Sequence, residues 1–184
     1  MNSEEITNSK LTLRIIRATD VDKEYVNWLN NSLVNRFLEV RHREIDIEIQ
    51  RVYVDKIFDS TDTYLFGIFP NRSSMIGTIK LGPIDFIHKF GEIGILIGEP
   101  ESWGKGYATE AIGMLCENFF EKGILRKVTA GVMEANLGSR RAFEKNDFVI
   151  EGILQDHFIG SDGRYSNVIR YGKILHFIQG NDVK

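Results

Sequence analysis

One cysteine, three prolines and no long apolar run are found in 184 residues. The single thiol, Cys116, cannot close an internal disulfide, so the expected home is the reducing cytoplasm. Few prolines and no low-complexity stretch argue against a long linker. Nothing approaches the roughly 20 apolar residues that span a bilayer, so no membrane association is expected. Basic charge is not in excess either. A formal net charge of -3 gives nucleic acid or anionic lipid little to hold. The opening "MNSEEITNSK" is polar and acidic, unlike a secretion signal. His42, His88 and His176 are scattered without ligand spacing, so no metal site is expected. No internal repeat appears.

What remains is ordinary globular composition, 42% apolar and 27% charged. Its length suits one domain spanning 1–184, with a core over about 10–175. Alternation over 11–16 predicts a first strand, after which Thr19 or Asp20 is placed to cap a helix. "DKEYVNWLNNSLVNRFLEV" carries helical spacing broken at "LNNS", so two short helices are expected. "IDIEIQRVYVDKIF" alternates like a strand at first, but Ile49, Val52, Val54 and Ile57 favour a helix. "TYLFGIFP", the turn cluster "NRSS" and "MIGTIKLGPID" read as a hairpin, with "EIGILIG" the next strand. "ATEAIGMLCENFFEKG" presents Ala108, Ala111, Ile112, Leu115, Cys116, Phe119 and Phe120 on one face, with Gly123 as a stop. A strand "RKVTAGVM", a short helix capped by Asn136 and a closing hairpin complete the chain. The fold class is therefore mixed α/β, with helices on both faces of a mixed sheet.

"WGKGYA" sits where strand "EIGILIG" hands over to a helix. It is not a dinucleotide fingerprint, because Thr109 stands where the third glycine belongs, and Lys105 between the glycines breaks the phosphate-loop pattern. Two readings stay open. Glycine relieves a tight turn, or Gly104, Gly106 and Ala108 keep side chains away from a pyrophosphate held on backbone N–H groups and a helix start.

This segment resembles the acetyl-CoA signature of the GNAT acetyltransferases, Q/R-x-x-G-x-G/A. Trp103, Gly106 and Ala108 hold its marked positions, and Trp103 departs from the usual Gln or Arg. "WGKGYATEA" is similar to the branch of ribosomal-protein N-terminal acetyltransferases. "NLGSRRAFEKNDF" is similar to a second block of that branch, with Asp147 in place of a glycine. The resemblance runs from about Lys10 to Leu175. It implies a largely antiparallel sheet of about seven strands, splayed between "EIGILIG" and "RKVTAGVM". It also implies acetyl-CoA as cosubstrate, with the pantetheine arm in the splay. By resemblance, Leu96, Ile97 and Gly98 meet pantetheine, and an N–H near Leu96 or Ile97 polarises the thioester. Trp103, Gly104, Lys105, Gly106, Tyr107, Ala108 and Thr109 hold the pyrophosphate. Asn136, Ser139 and Phe143 complete the cofactor set.

Acetyl transfer to an amine requires loss of a proton, stabilisation of the oxyanion and departure of the thiolate. By resemblance to histone-acetylating members of the family, whose catalytic glutamate is similarly spaced from the signature, Glu92 is the candidate base; the competing reading is a solvent-facing strand-end carboxylate or one salt-bridged to a neighbouring lysine. Many family members carry a tyrosine where Phe143 stands, which leaves water, Tyr165, Tyr171 or His157 as candidate acids. Acceptor recognition is expected over the early helices, from Trp28, Arg36, Glu39 and Arg41 together with Asn30, Asn31, Asn35 and Arg43. Arginine forks match phosphate oxygens, and "WLNN…VNRFLEVR" resembles acetyltransferases of nucleotide-linked amino sugars. Four readings remain: an amino-sugar nucleotide enzyme, a protein N-terminal enzyme, a polyamine enzyme, and a non-catalytic acetyl-CoA sensor. A monomer or a homodimer is expected.

Overall fold

The structure, a computed structural model, describes residues 5–71, 73–160 and 162–175. Arg72 of the expected turn and His176 lie outside them. Eight strands are present among the described residues: β1 Glu5–Thr7, β2 Leu11–Ile15, β3 Tyr64–Pro70, β4 Gly77–Leu81, β5 Phe90–Ile97, β6 Lys127–Met133, β7 Val149–Ile159 and β8 Tyr165–Ile174. They form one sheet in the order β1-β2-β3-β4-β5-β6-β8-β7. Only β5 and β6 run parallel. The sequence anticipated about seven strands because β1 is three residues long, too short for alternation to register.

The helices are α1 Lys23–Asn30, α2 Ser32–Asn35, α3 Ile47–Phe58, α4 Tyr107–Glu121 and α5 Leu137–Glu144. The break at "LNNS" is real: Asn31 ends α1 in extended backbone and caps α2 through Leu33 N. Neither Thr19 nor Asp20 caps α1. Asp22 does, through Tyr25 N, and Asp20 closes a short 3-10 turn while pairing with Arg14 at 2.8 Å. Asp147 stands at φ 61°, the left-handed turn in which the related block carries glycine and which aspartate tolerates.

Two apolar layers sandwich the sheet. Leu11, Leu13, Phe66, Ile79 and Ile93 pack with Ile112, Leu115 and Phe119 of α4 and Phe143 of α5. On the opposite face Ile16 and Leu65 pack with Tyr25, Trp28 and Leu29 of α1 and Val54 and Ile57 of α3, and Leu96 joins them. Side chains alternate along a strand, so β5 sends Ile93, Ile95 and Ile97 towards α4 and Leu96 towards α1. Cys116 belongs to the α4 layer, and burial pushes its thiol up to about 12, out of the reactive range.

Gly98 has a purely steric origin. A Cβ there would lie 2.0 Å from Cδ2 of Trp28, whose indole fills that space. Gly98→Ala is expected to lower stability by about 1–3 kcal/mol through overpacking. Urea unfolding would read this as a lower midpoint at unchanged slope.

Candidate active site

The site begins with a failure of strand pairing. β5 and β6 are joined only at Phe90–Lys127, Gly91–Val128 and Glu92–Thr129. Beyond that point β5 continues to Ile97 and β6 to Met133 without pairing. A wedge therefore opens between them, as the sequence led us to expect.

Backbone direction decides which groups face this wedge. Glu92 O accepts from Gly82 N, and Gly98 N donates to Ile76 O, so residues of even number on β5 bond to the β4 side. Leu96 and Gly98 are thus turned away from the wedge, contrary to expectation. Ile95 and Ile97 face it. The sequence could not supply this parity, because it depends on the register with β4. One wedge-facing group is engaged already: Trp103 Nε1 donates to Ile97 O at 2.9 Å. Trp103 thereby ties the glycine loop to the end of β5.

Past Trp103 the chain enters α4 through Gly104 at φ 74° and Gly106 at φ 84°. Both are in the left-handed region that favours glycine. A Cβ on Gly104 would meet nothing within 4 Å, and one on Gly106 would meet only Lys10 Nζ, at 3.8 Å. The space in front of them is open, so these glycines are not relieving a crowded turn. Helices α1, α2, α3 and α5 receive side-chain caps from Asp22, Asn31, Asp46 and Asn136. Gly106 gives α4 none. Its first-turn N–H groups at Tyr107, Ala108 and Thr109 therefore face the opening, an arrangement that suits an anion. Lys105 is exposed beside them.

At the closed end of the wedge, Glu92 is held by a two-pronged arginine. Arg170 Nη1 and Nη2 donate to its two carboxylate oxygens at 2.9 and 3.1 Å. Arg170 lies on β8 opposite Gly131 of β6, and its Nη1 would stand 2.8 Å from a Cβ on that glycine. The ion pair thus crosses β6 where β6 has no side chain, and braces three strands at the point where two of them part. Glu92 is thus salt-bridged, but to a distant arginine and not to the neighbouring lysine of the competing reading.

The candidate acids are not gathered at the wedge. Tyr171 is fully buried; its hydroxyl donates to Glu144 at 2.8 Å and accepts from Arg140 Nε at 3.4 Å. Its pKa is raised, first by removal from water and then by Glu144, against the opposing pull of Arg140. Just past α5, Asn146 Nδ2 donates to Thr109 O of α4. His157 is exposed on the outer strand β7, edge-on to Phe158. Tyr165 is exposed at the start of β8. Phe143 lies in the core between Phe148 and Tyr171, at ring separations of 5.0 and 6.2 Å. Asn136 uses its side-chain oxygen to cap α5 through Ser139 N.

Of the expected acceptor set, Trp28 is core and turned to Gly98. Arg36 is exposed and lies over the ring of Phe37 at 4.7 Å. Arg41 does more. Its side chain is only 4% exposed; it donates to Leu38 O at 2.7 Å, to Ile159 O, and to Glu39 Oε1 at 3.5 Å. Its Nε is buried with no partner. Arg41, His42, Arg43 and Glu44 line a cleft of about 630 Å³ with Asn30, Asn35 and the tip of the β7–β8 hairpin. His42 was missed because a lone histidine carries no signal until the hairpin tip is brought beside it. A smaller hollow of about 230 Å³ lined by Ile15, Phe58 and Tyr64 lies at the far end of the sheet from the glycine loop. No cluster of metal-ligating side chains occurs among the described residues.

Comparison with known proteins supplies the class. Residues 10–149 match the model of the acetyltransferase (GNAT) domain, and the chain belongs to that family. It is 30% identical over 165 residues to spermidine N(1)-acetyltransferase of Vibrio cholerae, across 89% of this chain and 92% of that one. It is 28% identical over 111 residues, 60% of each chain, to ribosomal-protein-serine acetyltransferase of Escherichia coli. The crystal structure of the V. cholerae spermidine N-acetyltransferase with CoA and spermine superposes with a TM-score of 0.80 at 27% identity, over 91% of this chain and 96% of that one. The protein is an acetyl-CoA-dependent N-acetyltransferase.

Gly106→Val places a branched side chain before the open helix start and costs about 1–2 kcal/mol of backbone strain. Acetyl-CoA affinity is expected to fall more than tenfold by calorimetry, while a cooperative melt persists at a lower midpoint. Unchanged affinity would remove the cofactor from this loop.

Proposed function

We propose that the acceptor is a primary amine carrying an anionic group, a nucleotide-linked amino sugar being the leading candidate. The observation that carries this reading is the cationic lining of the cleft between the early helices and the β7–β8 tip. Arg41 and Arg43 face it, with Glu44 the only carboxylate among its described lining residues. Arg43 is the exposed cation of the pair, and Arg41, committed to Leu38 O, Ile159 O and Glu39 Oε1, braces the wall behind it. A polyamine presents only positive charge and would meet arginine here. The same cleft admits a second reading, a protein N-terminus, which the name of the Escherichia coli ribosomal-protein-serine acetyltransferase brings forward.

The cofactor lies with its pyrophosphate on Gly104–Ala108 and its arm along the wedge, where Ile95 and Ile97 offer backbone N–H groups. An N–H there stabilises the oxyanion as the amine attacks the thioester. The C–N bond forms, the C–S bond breaks, and the thiolate takes up a proton released by the amine, by way of water in the open wedge. Glu92 serves as a positioning residue, because both its oxygens are engaged by Arg170. The pair fixes the apex of the wedge and with it the placement of the arm.

Three measurements test these assignments. Acetyl-CoA consumption against 4-amino-sugar nucleotides, acidic N-terminal peptides and spermidine is expected to rank the anionic amines first. Preference for spermidine overturns the reading. Arg43→Gln is expected to raise the acceptor KM about tenfold, the loss of one charge-assisted hydrogen bond, with the acetyl-CoA KM unmoved. Glu92→Gln and Arg170→Gln are expected to lower kcat by similar factors without changing the shape of its pH profile. Loss of the acidic limb in Glu92→Gln alone would return Glu92 to the role of general base.

A further inference from the structure

The short strand β1 has a consequence at the opposite edge of the sheet from the β7–β8 hairpin. Its turn into β2 lies at the same end of the sheet as the end of β5, since Leu11 pairs with Pro70 and Gly77 with Ile97. That turn is held on both sides. Asn8 Oδ1 accepts from Lys10 N at 2.8 Å and from Leu11 N at 3.0 Å, and Asn71 N donates to Lys10 O at 3.2 Å. Asn8 Nδ2 also donates to Glu110 Oε1 at 2.6 Å, which docks the turn on the first turn of α4. The result is a rigid base for one long cation. Lys10 Nζ stands 3.8 Å from where a Cβ of Gly106 would be, making it the side-chain atom closest to that open position.

We propose that Lys10 is a cofactor-binding residue whose ammonium neutralises the pyrophosphate of acetyl-CoA on the Gly104–Ala108 loop. The inference rests on the cofactor placement given above and adds to it a residue from outside the family's signature. In this structure the ammonium is 3.7 Å from Glu110 Oε2, with the lysine side chain half exposed. An exposed pair at that distance contributes little, so the ammonium can turn to a diphosphate at small cost. Lysine suits the task, being a compact point charge on a flexible stem that does not require the paired geometry of a guanidinium. The backbone N–H groups of the loop supply direction and Lys10 supplies charge. Glu110 holds the cation beside the opening while the cofactor is absent.

Calorimetric titration with acetyl-CoA tests this directly. Lys10→Gln is expected to weaken binding about tenfold, the loss of one charge-assisted contact, and to flatten the dependence of affinity on salt. Lys10→Arg should keep affinity within about threefold of wild type, because the charge is retained. The acceptor KM and the melting temperature of Lys10→Gln should match the wild type. The same loss should appear with 3′-dephospho-acetyl-CoA. A loss that disappears with that ligand would move Lys10 to the 3′-phosphate and overturn the assignment, as would unchanged affinity for acetyl-CoA itself. Gly106→Val separates the two levels. If it abolishes binding while Lys10→Gln has no effect, the loop placement stands and only the role of Lys10 fails. If neither variant alters affinity, the placement fails as well.

Discussion

The site depends on one interruption in the sheet, the parting of β5 from β6 after the Glu92–Thr129 pair. Paired along their length, these strands would have no free edge between them. Because they part, the N–H and C=O groups of Ile95 and the N–H of Ile97 face the wedge without a strand partner, while Ile97 O is taken by Trp103 Nε1. The Glu92–Arg170 pair holds the apex of this wedge, and it reaches across β6 because residue 131 is glycine. The site is therefore built from an absence of pairing at one end and an unusually specific side-chain contact at the other.

The two mouths of the wedge are served by different chemistry. At the α4 end, uncapped N–H groups, left-handed glycines and Lys10 are the elements of the proposed anion site, with open space in front of the glycines. The cleft proposed for the acceptor is lined by Arg41, Arg43 and Glu44. Arg41 joins the loop after α2 to the hairpin tip through Ile159 O, so this surface holds the two rims together as well as lining the cleft.

Several residues changed meaning once their surroundings were known. Trp28 looked like an exposed aromatic over a substrate, yet it fills the space beneath Gly98 and belongs to the core. Gly98 itself is small for the sake of Trp28. Tyr171 offered a hydroxyl, but Glu144 and Arg140 already occupy it. Phe143 is packed edge-on to Phe148 in the apolar layer. In each case the residue type was right for chemistry, and only the packing showed that another role had claimed it.

The sequence by itself determined the periodic elements and the glycine loop, because both are local. Helical spacing in α4, the capping asparagine before α5 and the glycines at 104 and 106 act over a few residues and can be read in order. Register, partnership and depth were decided by the tertiary structure. The parity that turns Ile95 towards the wedge comes from the β4 ladder, the partner of Glu92 lies 78 residues away, and Lys10 reaches the loop only through the docking of the β1–β2 turn. Those contacts form only when the chain closes on itself, and no local pattern in the sequence records them.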